Sequence, residues 1–85
     1  MRAEPLDALQ DAVDICEAGR GGGYNLDPMA QHEVVELVEE LLADHRSALR
    51  SGPGLANLER LLNIFAEVGW PESIQLVWRL DEVFR

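Results

Sequence analysis

Apolar residues recur along this 85-residue chain at the spacing of an α-helix, and glycine and proline interrupt that spacing at three points. The interruptions fall at residues 19–26, 51–54 and 69–71. They leave four helical stretches, at residues 5–18, 28–49, 55–68 and 71–85. Because a chain of this length has room for one modest core, we expect a single all-α domain over residues 1–85.

The ends of the predicted helices carry recognisable signals. Asp27 before Pro28 marks a helix start, because aspartate caps free backbone N–H groups and proline fits the first turn. Gly69 closes the third helix, and the short link after it predicts an antiparallel pairing of the third and fourth helices. The predicted fold is a small four-helix bundle of two antiparallel helical hairpins. A glycine-rich loop that includes residues 21–23 joins helices one and two.

The chain is acidic, and its excess charge lies in its first half. Sixteen acidic residues against seven arginines give a net charge of −9, whereas residues 46–85 carry five of each and are neutral. Nucleic acid and anionic membrane surfaces both require a basic patch, so we expect neither as a partner. On the first two predicted helices the acids form rows opposite the apolar residues. These rows have two interpretations: they bind a basic protein, or they only maintain solubility. The acidic residues predicted to bind a partner are Glu4, Asp7, Asp11, Asp14, Glu33, Glu36, Glu39 and Glu40.

The fourth predicted helix carries more apolar residues than a small bundle can cover. Its first stripe, around Leu76 and Leu80, is assigned to the core. A second stripe is left over, and we predict that it is exposed and binds another chain, because aromatic residues are favoured interface anchors. A homodimer through this helix is the expected assembly. The second stripe consists of Trp70, Ile74, Val77 and Trp78.

No arrangement of residues in the sequence predicts catalysis or a bound cofactor. The chain has no lysine, and its few serines have no matching base beside them. The glycine run lacks the preceding strand and the Lys-Ser/Thr pair of a phosphate-binding loop. His32 and Glu36 lie one helical turn apart, but they are only two of the ligands that a metal ion needs. We expect neither an enzyme nor a metal site.

Two reactive residues fall on apolar faces of the predicted helices. Cys16 should be a buried, inert thiol, and its being the single cysteine favours a reducing compartment. His45 lies among Leu41, Leu42 and Leu49, so we predict a pH-sensitive histidine in the core. No stretch approaches the length of a membrane span, and the first residues lack a signal-peptide pattern. The expected location is the cytoplasm.

These features favour a small acidic cytoplasmic module that binds another protein stoichiometrically, as an adaptor, an inhibitor or an immunity or antitoxin-like protein. Two alternatives stay open. In the first, an apolar ligand lies between the helices, with the loop at residues 21–23 as a lid and His45 as its polar contact. In the second, the acidic rows imitate nucleic-acid phosphates and occupy a basic DNA-binding protein.

Overall fold

The computed structural model describes residues 4–19 and 26–84 of the chain. Within these residues the fold is all-helical, as predicted, and five helices are present. They are α1 (Pro5–Ala18), α2 (Pro28–Asp44), α3 (Arg46–Leu49), α4 (Gly52–Val68) and α5 (Ile74–Val83). The predicted glycine-rich loop at residues 21–23 and the predicted helix end at residue 85 lie outside the described residues.

Two of the predicted helix ends are confirmed by their capping contacts. The Asp27 carboxylate accepts a hydrogen bond from the backbone N–H of Ala30 at 2.8 Å, and proline follows in the first turn. Gly69 ends α4 in the left-handed conformation, with φ of 63°, and its N–H bonds to the carbonyl of Phe65. Local sequence is sufficient for both ends because every contact lies within one turn.

The second predicted helix is in fact two helices, and the expected continuous helix over residues 28–49 is wrong. α2 ends at Asp44, and His45 departs from helical geometry with φ of −131° and ψ of 26°. The break redirects the chain so that Leu49 is fully buried while Ala48 is exposed. His45 therefore lies half-buried at a corner between α2 and α3, and not at the centre of an apolar face.

The boundaries of the last two helices also differ from the prediction. α4 starts at Gly52, so residues 52–54 form its first turn where the sequence indicated a loop. Proline is tolerated there because its missing N–H would have had no helical partner. α5 starts only at Ile74, since residues 71–73 form a turn in which the buried Ser73 hydroxyl donates to the carbonyl of Trp70 at 3.0 Å.

One core fills the space between the helices. α1 packs against α2 and α4, and α4 packs against α5. Polar contacts at the rim join α1 to α4, where Arg60 pairs with Glu17 at 2.9 Å and Asn57 donates to Gln10 at 3.1 Å. The predicted burial of Cys16 is confirmed. The side chains that are fully shielded from solvent include Leu9, Val34, Val38, Leu49, Leu58, Leu61, Leu76 and Leu80.

Trp70 belongs to this core, which differs from its expected place on an exposed stripe. Its side chain is only 7% exposed, and its ring centroid lies 5.9 Å from that of Phe65. The reason is the left-handed turn at Gly69, which folds the chain back onto the end of α4. Separately, none of the described helices is long and apolar enough to cross a membrane.

Candidate functional site

A cleft of about 310 Å³ opens at the surface between α2 and the start of α5. We call it the α2–α5 cleft. One wall comes from α2, whose contributing positions follow the i, i+3, i+4, i+7 pattern of a single helical face. The other wall comes from the turn at residues 71–73 and the first turn of α5. The lining residues are His32, Val35, Glu36, Glu39, Pro71, Glu72 and Gln75.

The buried Val35 lies at the base of the cleft, and polar side chains form most of the lining. Val35 is only 4% exposed, because the α2 face that it occupies turns toward the core. Around it stand His32, Glu36 and Glu72, each with about half or more of its side chain accessible. Such a site offers carboxylate oxygens, and little apolar surface, to a ligand.

His32 bridges the two walls. Its Nδ1 lies 3.1 Å from both carboxylate oxygens of Glu72, and its Nε2 lies 3.4 Å from Oε1 of Glu36. The hydrogen bond to Glu72, followed by the negative charges of Glu36 and Glu72, raises the pKa of His32 above its usual 6.5. When His32 is protonated, its positive charge strengthens the link between α2 and the segment before α5.

A second ion pair, between Arg79 Nη1 and Glu39 Oε2 at 3.5 Å, joins α2 to α5 further along. From the His32–Glu72 contact to this pair, both chain segments advance by seven residues, so α2 and α5 run in the same direction. Three carboxylates against one arginine leave the cleft with a formal charge of −2 when His32 is neutral. The cleft can accept hydrogen bonds from a cation. The described residues contain no grouping of three or more side chains fit to hold a metal ion.

The outer surface of α5 carries two exposed apolar residues next to this cleft. Trp78 is 72% exposed and Ile74 is 52% exposed, and the two lie one turn apart. We call this pair the α5 surface. Val77 is only partly buried against the core. Gln75 lines the cleft and lies three residues before Trp78, so Trp78 is a surface neighbour of a cleft residue.

The predicted acidic residues do not converge on one place. Glu36 and Glu39 enter the cleft, whereas Glu33 and Glu40 are exposed on α2 without lining it. Glu4 and the three aspartates of the predicted α1 row are also exposed: Asp7, Asp11 and Asp14. The exposure expected for these rows is found at every position except Glu39, which is half-buried.

Sequence reasoning missed Glu72 as part of the site. It lies forty residues after His32, and no local spacing connects the two. The one available signal was its position directly after Pro71, at the predicted start of a helix, which indicated only a favourable interaction with the helix dipole.

Cys16 takes no part in this surface. Burial, together with the charge of Glu17, raises the pKa of its thiol to about 11. A buried thiol with so high a pKa is almost entirely protonated at neutral pH, which is a poor setting for a nucleophile.

Comparisons with known proteins identify no relative. No protein-family model matches the chain, and no curated protein or solved structure is significantly similar to it. The α2–α5 cleft and the α5 surface are therefore the features that bear on function.

Proposed function

We propose that this chain is a small acidic interaction module that binds another protein stoichiometrically through the α5 surface. The observation that carries the proposal is the 72% exposure of Trp78. Aromatic side chains are enriched among the residues that dominate binding energy, and truncating one in a desolvated interface costs about 2 kcal/mol or more. An exposed tryptophan beside an exposed isoleucine is therefore a ready anchor.

The two tryptophans of the chain make the contrast clear. Trp70 is 7% exposed and packs on Phe65, so the fold accounts for it. Trp78 contributes little surface to the core, so its packing within the chain does not explain it. A binding role is the explanation that we propose for Trp78 and its neighbour Ile74.

A protein with a basic surface is the first candidate partner, because the α5 surface adjoins Gln75, which lines a cleft with three carboxylates. Self-association through α5 is the second candidate, favoured by the same apolar pair. It has less support because each copy carries a net charge of −9, so that two copies repel one another at low salt.

Several finer predictions belong to this proposal. The arrangement as two antiparallel hairpins is supported by the packing of α1 on α2 and of α4 on α5. The shared direction of α2 and α5 supports it as well. A cytoplasmic adaptor, inhibitor, immunity or antitoxin-like role rests on the composition and on the single buried cysteine.

The two alternative functions draw less support from the described residues. An apolar ligand in the α2–α5 cleft would displace water from the exposed side chains of His32 and Glu36 and offer them no hydrogen bond in return. A nucleic-acid mimic would use the exposed acids of α1, and we expect its binding to weaken steeply with salt.

The test compares two exposed apolar residues on different helices. Wild-type chain, Trp78→Ala and Met29→Ala are each immobilised and incubated with extract of the native host at low salt, and retained proteins are quantified. Met29, on α2, is 74% exposed and is thus a matched control. We expect a partner retained by wild type and by Met29→Ala but lost from Trp78→Ala. Equal retention by all three would refute the role of the α5 surface.

Sedimentation of the purified chain distinguishes the two candidate partners. Self-association through α5 predicts a dimer at high micromolar concentration that Trp78→Ala dissociates. A monomer at every concentration leaves the basic protein as the proposed partner.

A further inference from the structure

We infer that the partner docks a basic segment on the α5 surface, covering Trp78 and Ile74 with apolar groups and placing an arginine or lysine head group in the α2–α5 cleft. This inference rests on the proposed function, because it specifies the chemistry of the segment that covers the α5 surface.

The arrangement of the α5 surface beside the cleft supports this chemistry. Trp78 lies one turn beyond Gln75, which lines the cleft, so the α5 surface lies next to one wall of the cleft. Arginine and lysine have an apolar stem and a charged head. The stem can pack on the indole, which also attracts the cation, while the head reaches the cleft.

The charges already in the cleft show how its carboxylates are engaged. His32 contacts both oxygens of Glu72, and Arg79 pairs with Glu39. The contact from His32 to Glu36 is the longer of the two histidine contacts, at 3.4 Å, and the Glu36 side chain is 65% accessible. An incoming cation would thus meet Glu36 first and compete with His32 for Glu72.

Charge complementarity favours a basic segment over a second copy of this chain. The cleft is negative, and the chain as a whole carries −9, so a cationic partner is attracted both at contact and at longer range. A second copy brings the same sign of charge.

The experiment uses fluorescently labelled peptides of alternating leucine and arginine, and a matched peptide in which citrulline replaces arginine. Citrulline keeps the shape of arginine and removes its charge. Binding to the full chain is followed by fluorescence anisotropy, and contacts are mapped by ¹H–¹⁵N NMR. The chain has two tryptophans, so the indole N–H signal of buried Trp70 serves as an internal control for that of Trp78.

Three charge variants that share the same net charge of −8, one unit less negative than the wild type, test the cleft. Glu36→Gln and Glu72→Gln each remove one cleft carboxylate, and Asp11→Asn removes an exposed carboxylate from α1. We expect each cleft variant to weaken binding of the arginine peptide by up to about fivefold, because exposed ion pairs contribute up to about 1 kcal/mol. Asp11→Asn should leave the affinity within about twofold, because α1 lies outside the cleft.

Each outcome separates the inference from the proposal on which it rests. Binding of the arginine peptide alone, with a shift of the Trp78 signal, supports the inference. Equal binding of the citrulline peptide at Trp78 overturns the cationic requirement while the α5 surface stands. An equal loss in Asp11→Asn and the cleft variants also overturns the inference, because net charge alone would then explain binding.

If neither peptide moves the Trp78 signal, a basic segment is not the occupant. A dimer dependent on Trp78 would then assign the surface to a second copy, whereas its absence would count against the proposed function itself.

Discussion

Replacing Gly54 by alanine should destabilise the protein, although alanine is the better helix former. Gly54 lies in the first turn of α4, where the chain passes close to the backbone of Leu49. A Cβ at position 54 would lie 2.8 Å from the Leu49 carbonyl carbon, 3.0 Å from its Cα, and closer still to its carbonyl oxygen. These are backbone atoms, so no side-chain rotation can relieve the contact, and α3 and α4 must move apart.

The magnitude follows from two opposing effects. Forcing an extra carbon into a packed site costs about 1–3 kcal/mol, whereas replacing glycine by alanine in a helix gains up to about 1 kcal/mol. The net expected loss for Gly54→Ala therefore lies between about 0 and 3 kcal/mol, and its centre is near 1.5 kcal/mol. Gly52 is the matched control, because it lies in the same turn and a Cβ there meets nothing within 4 Å. Gly52→Ala should be neutral or stabilise the fold by up to about 1 kcal/mol.

The assay is urea unfolding followed by far-ultraviolet circular dichroism for the wild type and both variants. A domain of this size is expected to unfold in one cooperative transition, so midpoints at equal slope report the free energy of unfolding. We expect the midpoint of Gly54→Ala to fall below that of the wild type and that of Gly52→Ala to lie at or above it. If Gly54→Ala is as stable as Gly52→Ala, the close approach of α3 and α4 is not a real constraint.

Three further predictions address single side chains. Trp70→Ala should lower the free energy of unfolding by about 3–5 kcal/mol because it leaves a cavity in the core. Trp78→Ala should change that free energy by no more than about 0.5 kcal/mol. Similar losses for both variants in the same urea assay would contradict the difference in burial between the two tryptophans. The Cys16 thiol, with its pKa of about 11, should resist iodoacetamide at pH 8 and react on unfolding in urea, and rapid alkylation of the native chain would be the contrary result. The pKa of His32 is raised in the fold, so its protonated form stabilises the folded chain. This contribution to stability is fully present below about pH 6.5. It is lost as the pH rises through the pKa of His32 in the folded chain. NMR titration should show that Glu72→Gln lowers this pKa, and an unchanged pKa would exclude the bridge.

The helices and their caps were accessible to sequence reasoning because their determinants are local. The Asp27 cap acts within three residues, and the Gly69 cap within four. Alternation of apolar and acidic positions likewise predicted which face of α1 is buried, with Cys16 in the core and Asp11 outside.

The break at His45 was inaccessible for the opposite reason. Residues 28–49 keep an almost unbroken helical spacing of apolar residues, with no glycine or proline among residues 29–49. The break turns the chain toward α4, where the backbone of Leu49 meets Gly54. The contact between α3 and α4 is a tertiary interaction, and the helix propensity of residues 28–49 does not include it. Helix propensity alone does not reveal where a tertiary contact overrides it.

The candidate site likewise combines features that local sequence determines with features that only the tertiary structure determines. The excess of apolar residues on the last helix follows from the sequence, and so do the acidity of the chain and the all-α fold, because composition and periodicity act within a few residues. Only the tertiary structure separates the two tryptophans, burying Trp70 on Phe65 and leaving Trp78 exposed. Only the tertiary structure, too, brings Glu72 to His32 across forty residues, because the packing of whole helices sets that distance.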